Sequence, residues 1–162
     1  DDPLPVGIES QQERFVITVP DTVRPRDVKA ALNAQLPAGL KIIRCQLAPK
    51  KAPVTFRKRI RYRVVLQEAL FDKRRLKAFN ERSDFYITLT HRKGKLKKID
   101  LKDIVIHSEL LDSSHLELTL QSEPGKTVRP FDVLRHIFKL SDAQVKQARI
   151  VKLDSGIKPN EI

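Results

Sequence analysis

One seven-residue phrase occurs twice in this chain, and it constrains the possible folds more than any other feature. It is TVRPRDV at 22–28 and TVRPFDV at 127–133. Before each copy, apolar and polar residues alternate as in a half-buried strand, and a helical pattern and a second apolar run follow. The same order of strand, turn, helix and strand around both copies indicates one supersecondary unit used twice. The sequence therefore predicts an internal duplication.

The phrase itself is typical of the start of a helix. Pro25 and Pro130 suit the first helical position, where the missing N–H has no partner to lose. Asp27 and Asp132 then fall in the first turn, at the positive end of the helix dipole. The strands predicted on either side of the two helices are 14–19 and 40–47 for the first copy, and 115–121 and 148–153 for the second.

The segment between the copies predicts further elements. These are strands at 57–66, 84–90 and 99–111, a helix at 71–82 capped by Asp72, and a basic turn around Gly94. From residue 57 the order is that of a split βαββαβ, or ferredoxin-like, unit in the α+β class, whose antiparallel sheet carries two helices. The predicted domains are a partial ferredoxin-like half-unit at 1–49, a ferredoxin-like unit with an inserted basic hairpin at 57–154, and a polar tail at 155–162. The intervening 48–56 segment, with two prolines and two lysines, predicts a linker.

Positive charge is concentrated in the middle of the chain. Residues 50–102 hold 18 Lys and Arg against 5 Asp and Glu, a balance of +13, while the whole chain has a net charge of +12. The remaining residues are therefore close to neutral. Such concentration favours an anionic partner over a general effect on solubility.

The segment RKRIRYR carries the main candidate for phosphate binding. Its arginines occupy alternate positions, which on a strand would all point to one face: Arg57, Arg59, Arg61 and Arg63. The opposite face would carry the apolar residues Ile60, Tyr62, Val64 and Leu66. A row of guanidinium groups suits the phosphates of a nucleic-acid backbone. The alternative is a solvated edge strand whose charges prevent aggregation.

Two further groups of cations are candidates for anion binding. The turn at 91–98 predicts a basic hairpin tip that grips phosphates, and its members are Arg92, Lys93, Lys95, Lys97 and Lys98. The alternative for the turn is a charged loop without a partner. Arg24 and Arg129 precede the two predicted helix starts, and an anion bound at each start would offset the unfavourable cation there. The alternative for this pair is packing on neighbouring surface.

Catalytic and metal-binding patterns are missing from the sequence. One cysteine, Cys45, and four histidines give no metal-ligand spacing, although His107 and His115 could meet across the hairpin of 104–111 and 115–121. A solvated or structural histidine pair is favoured over zinc. Asp100 and Asp103 are explained as salt-bridge partners of the basic residues around them. We therefore expect a non-enzymatic protein without a metal or cofactor. One cysteine and no export or membrane signal favour the cytoplasm.

An ordered set of segments resembles a known family. The set comprises PLPVGIES, TVRPRDVKAALNAQLPAGLKI, RYRVVL, RKGKLKKIDLKDIVIHSELL and TVRPFDVLRHIF. It is similar to the bacterial radical-SAM-linked domain of unknown function, over roughly Pro3 to Leu153. The family's N-terminal strand, its Ser-His-Leu-Asp-type helix and its Asn-Pro-His-Pro-type loop are missing here. The resemblance implies a C-terminal appendage or a stand-alone partner of a radical SAM enzyme, connected with RNA processing.

Together these features predict a non-catalytic module that binds structured RNA through phosphate contacts and serves a radical SAM enzyme in RNA modification or processing. The competing hypothesis is a protein-interaction adaptor whose basic face docks on an acidic partner surface. No membrane partner is expected, and formation of a homo-oligomer is left open.

Overall fold

The computed structural model describes residues 4–11, 13–48, 58–90, 94, 96–122 and 127–154. The chain divides into two compact units. We call residues 14–54 the small unit, and residues 2–13 with 55–162 the large unit. Residues 2–13, which the sequence grouped with the first domain, thus belong to the large unit. The predicted linker beyond Ala48 and the polar tail lie outside the described residues.

The described chain contains a series of short strands and helices. In order they are β1 (Ile8–Ser10), α1 (Pro25–Gln35), β2 (Lys58–Val65), α2 (Lys73–Asn80), β3 (Tyr86–Thr90), β4 (Leu96–Asp100), α3 (Leu101–Ile104), β5 (Val105–Leu110), β6 (His115–Ser122), α4 (Pro130–His136), α5 (Asp142–Gln147) and β7 (Arg149–Asp154). Only α1 belongs to the small unit. In the described part of the chain, no helix is both long enough and apolar enough to cross a membrane.

The large unit contains two sheets. The five-stranded sheet has the order β1-β7-β2-β6-β5, and a separate two-stranded sheet pairs β3 with β4. Strands β1 and β7 are parallel, and the other pairs are antiparallel. The protein is therefore a mixed α/β structure, and β2 is the central strand of its main sheet.

One face of the five-stranded sheet supplies the core. Alternate residues of β6 are buried, with Leu116 and Leu118 fully inaccessible, and Tyr62 and Val64 of β2 are buried beside them. The helices contribute buried residues to the same cluster, among them Leu76, Phe79, Val133 and Leu134. Burying each such side chain stabilises the fold by about 1.5–3 kcal/mol relative to exposure. The opposite face of the sheet, which we call the outer face, carries the intervening polar residues.

The repeated phrase starts a helix in both places, as predicted. Pro25 and Pro130 are the first residues of α1 and α4. In each case the carbonyl of the preceding arginine accepts the amide N–H of the aspartate at 2.9 Å. The carboxylate of Asp132 also accepts the backbone N–H of Arg129 at 2.9 Å. The seven-residue phrase therefore determines the local conformation of the helix start.

The strands predicted around the first copy are wrong. Residues 14–19 and 40–47 form no strand, and α1 has no buried residue. A strand requires a neighbour that accepts and donates its backbone hydrogen bonds, and these segments have no strand partner within the described residues. The two copies thus share the helix start but not the strands beside it.

The strand predicted at 99–111 is also wrong in part. The chain forms β4, then the short helix α3, and then β5. The carboxylate of Asp100 causes the break, because it accepts the backbone N–H of Lys102 at 3.0 Å and so caps α3. Asp100 is thus a capping residue, and among the described side chains it has no ion pair of the kind that the sequence indicated. By contrast, the prediction of α2 is confirmed, since Asp72 caps it and Leu76 and Phe79 are buried.

Candidate nucleic-acid interface

Three arginines of β2 lie in a row on the outer face. Arg59, Arg61 and Arg63 are exposed, while the residues between them point toward the core. We call these three residues the arginine row. Strand geometry separates neighbouring members by about 7 Å. Arg57, the fourth predicted member, lies outside the described residues.

The position of β2 excludes one explanation for the row. As the central strand it is bonded to β6 on one side and to β7 on the other. Charges that prevent a sheet edge from pairing with another chain occur on edge strands. The edge-strand alternative is therefore wrong, and the arginines are displayed in the middle of a sheet face.

The neighbouring strands determine how much of this charge is neutralised. In the β2–β6 register, Arg59 faces Gln121, Arg61 faces Thr119 and Arg63 faces Glu117. Arg63 donates to Glu117 at 2.6 Å, and the glutamate side chain is only 21% exposed. No ion pair joins Arg59 or Arg61 to a carboxylate among the described side chains, and Asp154 of β7 lies opposite Arg61 in the strand register. Arg59 and Arg61 are both exposed, and Arg59 faces no acidic residue in the strand register.

A second ion pair borders the row on the side of β7. Arg149 donates to both carboxylate oxygens of Glu9 on β1, over 2.9–3.3 Å. The hydrogen bonds from Arg149 lower the pKa of Glu9, and Glu9 in turn raises the pKa of Arg149. The sequence did not predict a role for Arg149, although Arg149 and Val151 are two residues apart in β7 and therefore lie on the same face of the strand. Its charge is already matched within the protein.

The phenol of Tyr62 lies beneath the arginine row, on the core side of β2. Burial raises the pKa of Tyr62 to about 12, and the nearby Glu13 carboxylate adds to the effect. The phenol therefore keeps its proton. Partial burial acts to raise the pKa of Glu13, but the net pKa is lowered. The Glu13 carboxylate accepts a hydrogen bond from Lys152 Nζ at 2.7 Å, and this bond contributes to the lowering.

The predicted basic turn lies on the two-stranded sheet and not on the outer face. Arg92, Lys93 and Lys95 fall outside the described residues, and Gly94 has a φ of +71°. Lys98 is exposed, and its Nζ lies 4.1 Å from the ring centroid of Tyr86, whereas Lys97 is half-buried. The structure therefore assigns the turn and the arginine row to different sheets.

The sequence alone did not predict whether Tyr86 is buried in the core or exposed on a sheet. It is 54% exposed, while Tyr62 is buried and Phe85 is half-buried. A groove of about 360 Å³ beside its ring is lined by Lys98, Asp100 and Asp103 among others. The two carboxylates make this groove a poor site for phosphate.

The two arginines of the repeated phrase lie at helix starts, as predicted. Both are exposed residues directly preceding the helix, Arg24 at α1 and Arg129 at α4. At α4 the carboxylate of Asp132 already supplies negative charge to the N-terminus. Anion binding at this place would have to compete with that carboxylate.

The histidines and the cysteine do not form a metal site in the described chain. His107 lies opposite Thr119, so the predicted meeting with His115 across the hairpin is wrong. His115 Nδ1 instead contacts Asp112 at 2.9 Å. Cys45 is half-buried with a free thiol. Within the residues that the structure describes, no three His, Cys, Asp or Glu side chains are grouped as metal ligands.

The fold and this face define a mixed α/β protein that displays arginines on an open sheet. The chain belongs to a bacterial family described as "Uncharacterized protein conserved in bacteria (DUF2344)", whose model matches residues 1–130. A comparison with curated proteins gives no match. The family description makes no connection with radical SAM chemistry.

Proposed function

We propose that the large unit binds structured RNA through phosphate contacts with the arginine row. The observation that carries the proposal is the exposure of Arg59 and Arg61 on the central strand of the sheet, opposite the uncharged Gln121 and Thr119 of β6. Like charges about 7 Å apart repel each other unless water or an anion separates them. An RNA backbone supplies such anions in series and requires no pocket.

The character of the face favours the recognition of RNA shape over the reading of bases. Proteins that read single strands stack bases on exposed aromatic rings of the sheet. On the outer face, the described residues of β2 and β6 are arginines, a valine, and the side chains of His115, Glu117, Thr119 and Gln121. Guanidinium groups among hydroxyl and amide groups suit phosphate and ribose oxygens of a folded RNA.

The fold that carries this face is, in our proposal, ferredoxin-like with one added edge strand. Without β1, the sheet order is β7-β2-β6-β5, and all its pairs are antiparallel. Helix α2 follows the first of these strands, and α4 and α5 precede the last. This order of strands and helices supports the proposal, because a split βαββαβ unit has the same order. The β3–β4 hairpin is then an insertion before its second strand.

We further propose that the bound RNA is presented to a radical SAM enzyme. This part depends on the sequence resemblance. A radical SAM enzyme holds its iron–sulfur cluster with closely spaced cysteines, and Cys45 stands alone in this sequence. The cluster would therefore belong to the enzyme, while this protein would hold the RNA.

One observation favours a second candidate, an adaptor that docks on an acidic protein. The Arg63–Glu117 and Arg149–Glu9 pairs give the outer face charges of both signs. Faces of mixed charge suit protein partners, because charge complementarity then selects the partner and the orientation. An adaptor would bind the enzyme in the absence of RNA.

Recovery of RNA from cells distinguishes the two functions. The tagged protein, a variant with Arg59→Glu and Arg61→Glu, and a control with Lys73→Glu and Arg74→Glu would be purified, and the bound RNA sequenced. The control changes the same charge on exposed residues of α2. We expect the row variant to lose RNA and the control to keep it. Equal recovery of RNA in all three would contradict the proposal, and RNA-independent recovery of an acidic protein would favour the adaptor.

A further inference from the structure

Two neutral polar side chains of β6 lie beside the arginine row. Thr119 and Gln121 alternate with the buried Leu118 and Leu120, so they lie on the outer face. Both residues are half-buried. Within the part of the chain that the structure describes, neither side chain takes part in a hydrogen bond. Their hydroxyl and amide groups can therefore bond to an external molecule.

The hydrogen-bond pattern of the sheet determines how close these side chains come to the arginines. Directly after β2, Leu66 donates its N–H to the carbonyl of Ser114 at 2.9 Å. Bonded pairs recur at every second residue of an antiparallel ladder, so they are the pairs on the core face of β2 and β6. The pairs on the outer face are the non-hydrogen-bonded ones, whose opposed Cβ atoms are only about 4.5–5.5 Å apart.

One outer-face pair shows that opposed side chains can reach a common point. Arg63 and Glu117 oppose each other in this way, and their side chains meet at 2.6 Å. Gln121 and Thr119 occupy the equivalent places opposite the other two arginines of the row. A group bound to either arginine is therefore within reach of the neutral side chain across the strand.

We infer that Thr119 and Gln121 hydrogen-bond ribose 2′-hydroxyl groups of the bound RNA and so give the outer face a preference for RNA over DNA. The inference rests on the proposed function, which assigns the phosphates to the arginine row. Each cross-strand pair takes one nucleotide, with the phosphate on the arginine and the hydroxyl on the residue opposite. We expect the larger contribution from Gln121, because Arg59 has no acidic residue opposite it in the strand register, whereas Arg61 has Asp154.

The chemistry of the ribose supports this assignment. The 2′-hydroxyl both donates and accepts a hydrogen bond, and it distinguishes RNA from DNA. A phosphate contact alone does not distinguish them, because both backbones carry the same charged group. The hydroxyl lies close to a phosphate of its own nucleotide, so a site for both requires a cation beside a neutral hydrogen-bonding group. Successive pairs along the two strands are about 7 Å apart, which suits neighbouring nucleotides of one RNA strand.

An RNA hairpin with fluorine in place of each ribose 2′-hydroxyl tests the inference, because it loses the donor and retains the A-form helix. The affinity of the full chain for this hairpin and for the unmodified hairpin would be measured with three proteins. These are the wild type, a double variant with Thr119→Val and Gln121→Leu, and the control Thr88→Val. Valine and leucine are close in size to the side chains that they replace. The control changes an exposed threonine on the two-stranded sheet.

The measured quantity is the ratio of the two affinities for each protein. We expect the wild type and the control to prefer the unmodified hairpin by about fivefold for each hydrogen bond that fluorine removes. In the double variant the ratio should fall to about one, because the substituted side chains no longer sense the 2′-hydroxyl.

Two results would overturn the inference. One is equal affinity of the wild type for the two hairpins, and the other is a ratio in the double variant that equals that of the wild type. In either case, loss of RNA affinity in the variant with Arg59→Glu and Arg61→Glu would still support RNA binding by the arginine row. No binding of the unmodified hairpin by the wild type would contradict the proposed function, and this inference with it.

Discussion

At the level of single residues, the core is held by apolar side chains that alternate with the exposed ones. Leu118 is fully buried and lies opposite Tyr62 in the sheet. We expect Leu118→Ala to lower the free energy of unfolding by about 2–5 kcal/mol, because the sheet cannot close over the cavity. Denaturation by urea measures the change. Leu96→Ala, at a residue that is 73% exposed, is the control and should change stability by less than about 0.5 kcal/mol.

Asp112 makes the turn between β5 and β6 sensitive to pH. Its carboxylate accepts the backbone N–H of Ser114 at 2.7 Å and of His115 at 2.8 Å. The bond from Ser114 above all, together with those from His115, holds the pKa of Asp112 well below its usual range. Since the folded pKa is lowered, this contribution is present above the unfolded pKa of about 4 and is lost as pH falls toward the folded one.

We therefore expect Asp112→Asn to reduce the midpoint of thermal unfolding at pH 7. The difference in unfolding midpoint between the wild type and the variant should narrow as the pH is lowered below about 4, because the Asp112 carboxylate of the wild type then becomes protonated and stabilises the turn less. Thermal unfolding followed by circular dichroism across this range gives the result. A difference that stays constant with pH would show that the charge of Asp112 has no part in the turn.

Residue patterns predicted the direction of the side chains but not their partners. Period-two spacing placed Arg59, Arg61 and Arg63 on one face, as the structure confirms. It could not reveal that Glu117 neutralises Arg63, because the register between strands 54 residues apart is set by packing of the whole sheet. For the same reason the ion pair of Arg149 and Glu9 was not predicted.

At the level of elements, Asp100 joins the two-stranded sheet to the rest of the large unit. Its carboxylate accepts the N–H of Phe85 at 2.9 Å and caps α3 through Lys102. We expect Asp100→Ala to lower the free energy of unfolding by about 1–3 kcal/mol, because two partly buried donors lose a charged acceptor. Chemical denaturation gives the magnitude. Asp103→Ala, at an exposed residue of the same helix, should have little effect, and equal losses in both variants would contradict this role.

Elements with local signals were predicted well, and elements that depend on distant partners were not. The start of α1, the cap of α2 and the alternation of β6 are encoded in adjacent residues. Strand β1 was missed because it is three residues long and its partner β7 lies about 140 residues away. The strands predicted beside α1 failed for the related reason that an apolar alternation does not supply a pairing partner.

For the whole molecule, the sequence predicted the location of the charge but not its display. The basic surplus of residues 50–102 was evident from composition. Only the complete strand order shows that β2 is the central strand. The helices contribute to the core on one side of this strand, and the arginines lie on the other. This arrangement supports the proposal that the outer face binds a large anionic partner.

The salt dependence of RNA binding tests this central claim most directly. The equilibrium constant for a structured RNA hairpin would be measured against salt concentration for the wild type, for Arg59→Ala with Arg61→Ala, and for the control Lys73→Ala with Arg74→Ala. Each lost phosphate contact reduces the slope of log K against log salt by about one. We predict a reduction of about two for the row variant and none for the control. Identical slopes and affinities in the wild type and the row variant would contradict the assignment of RNA binding to the outer face.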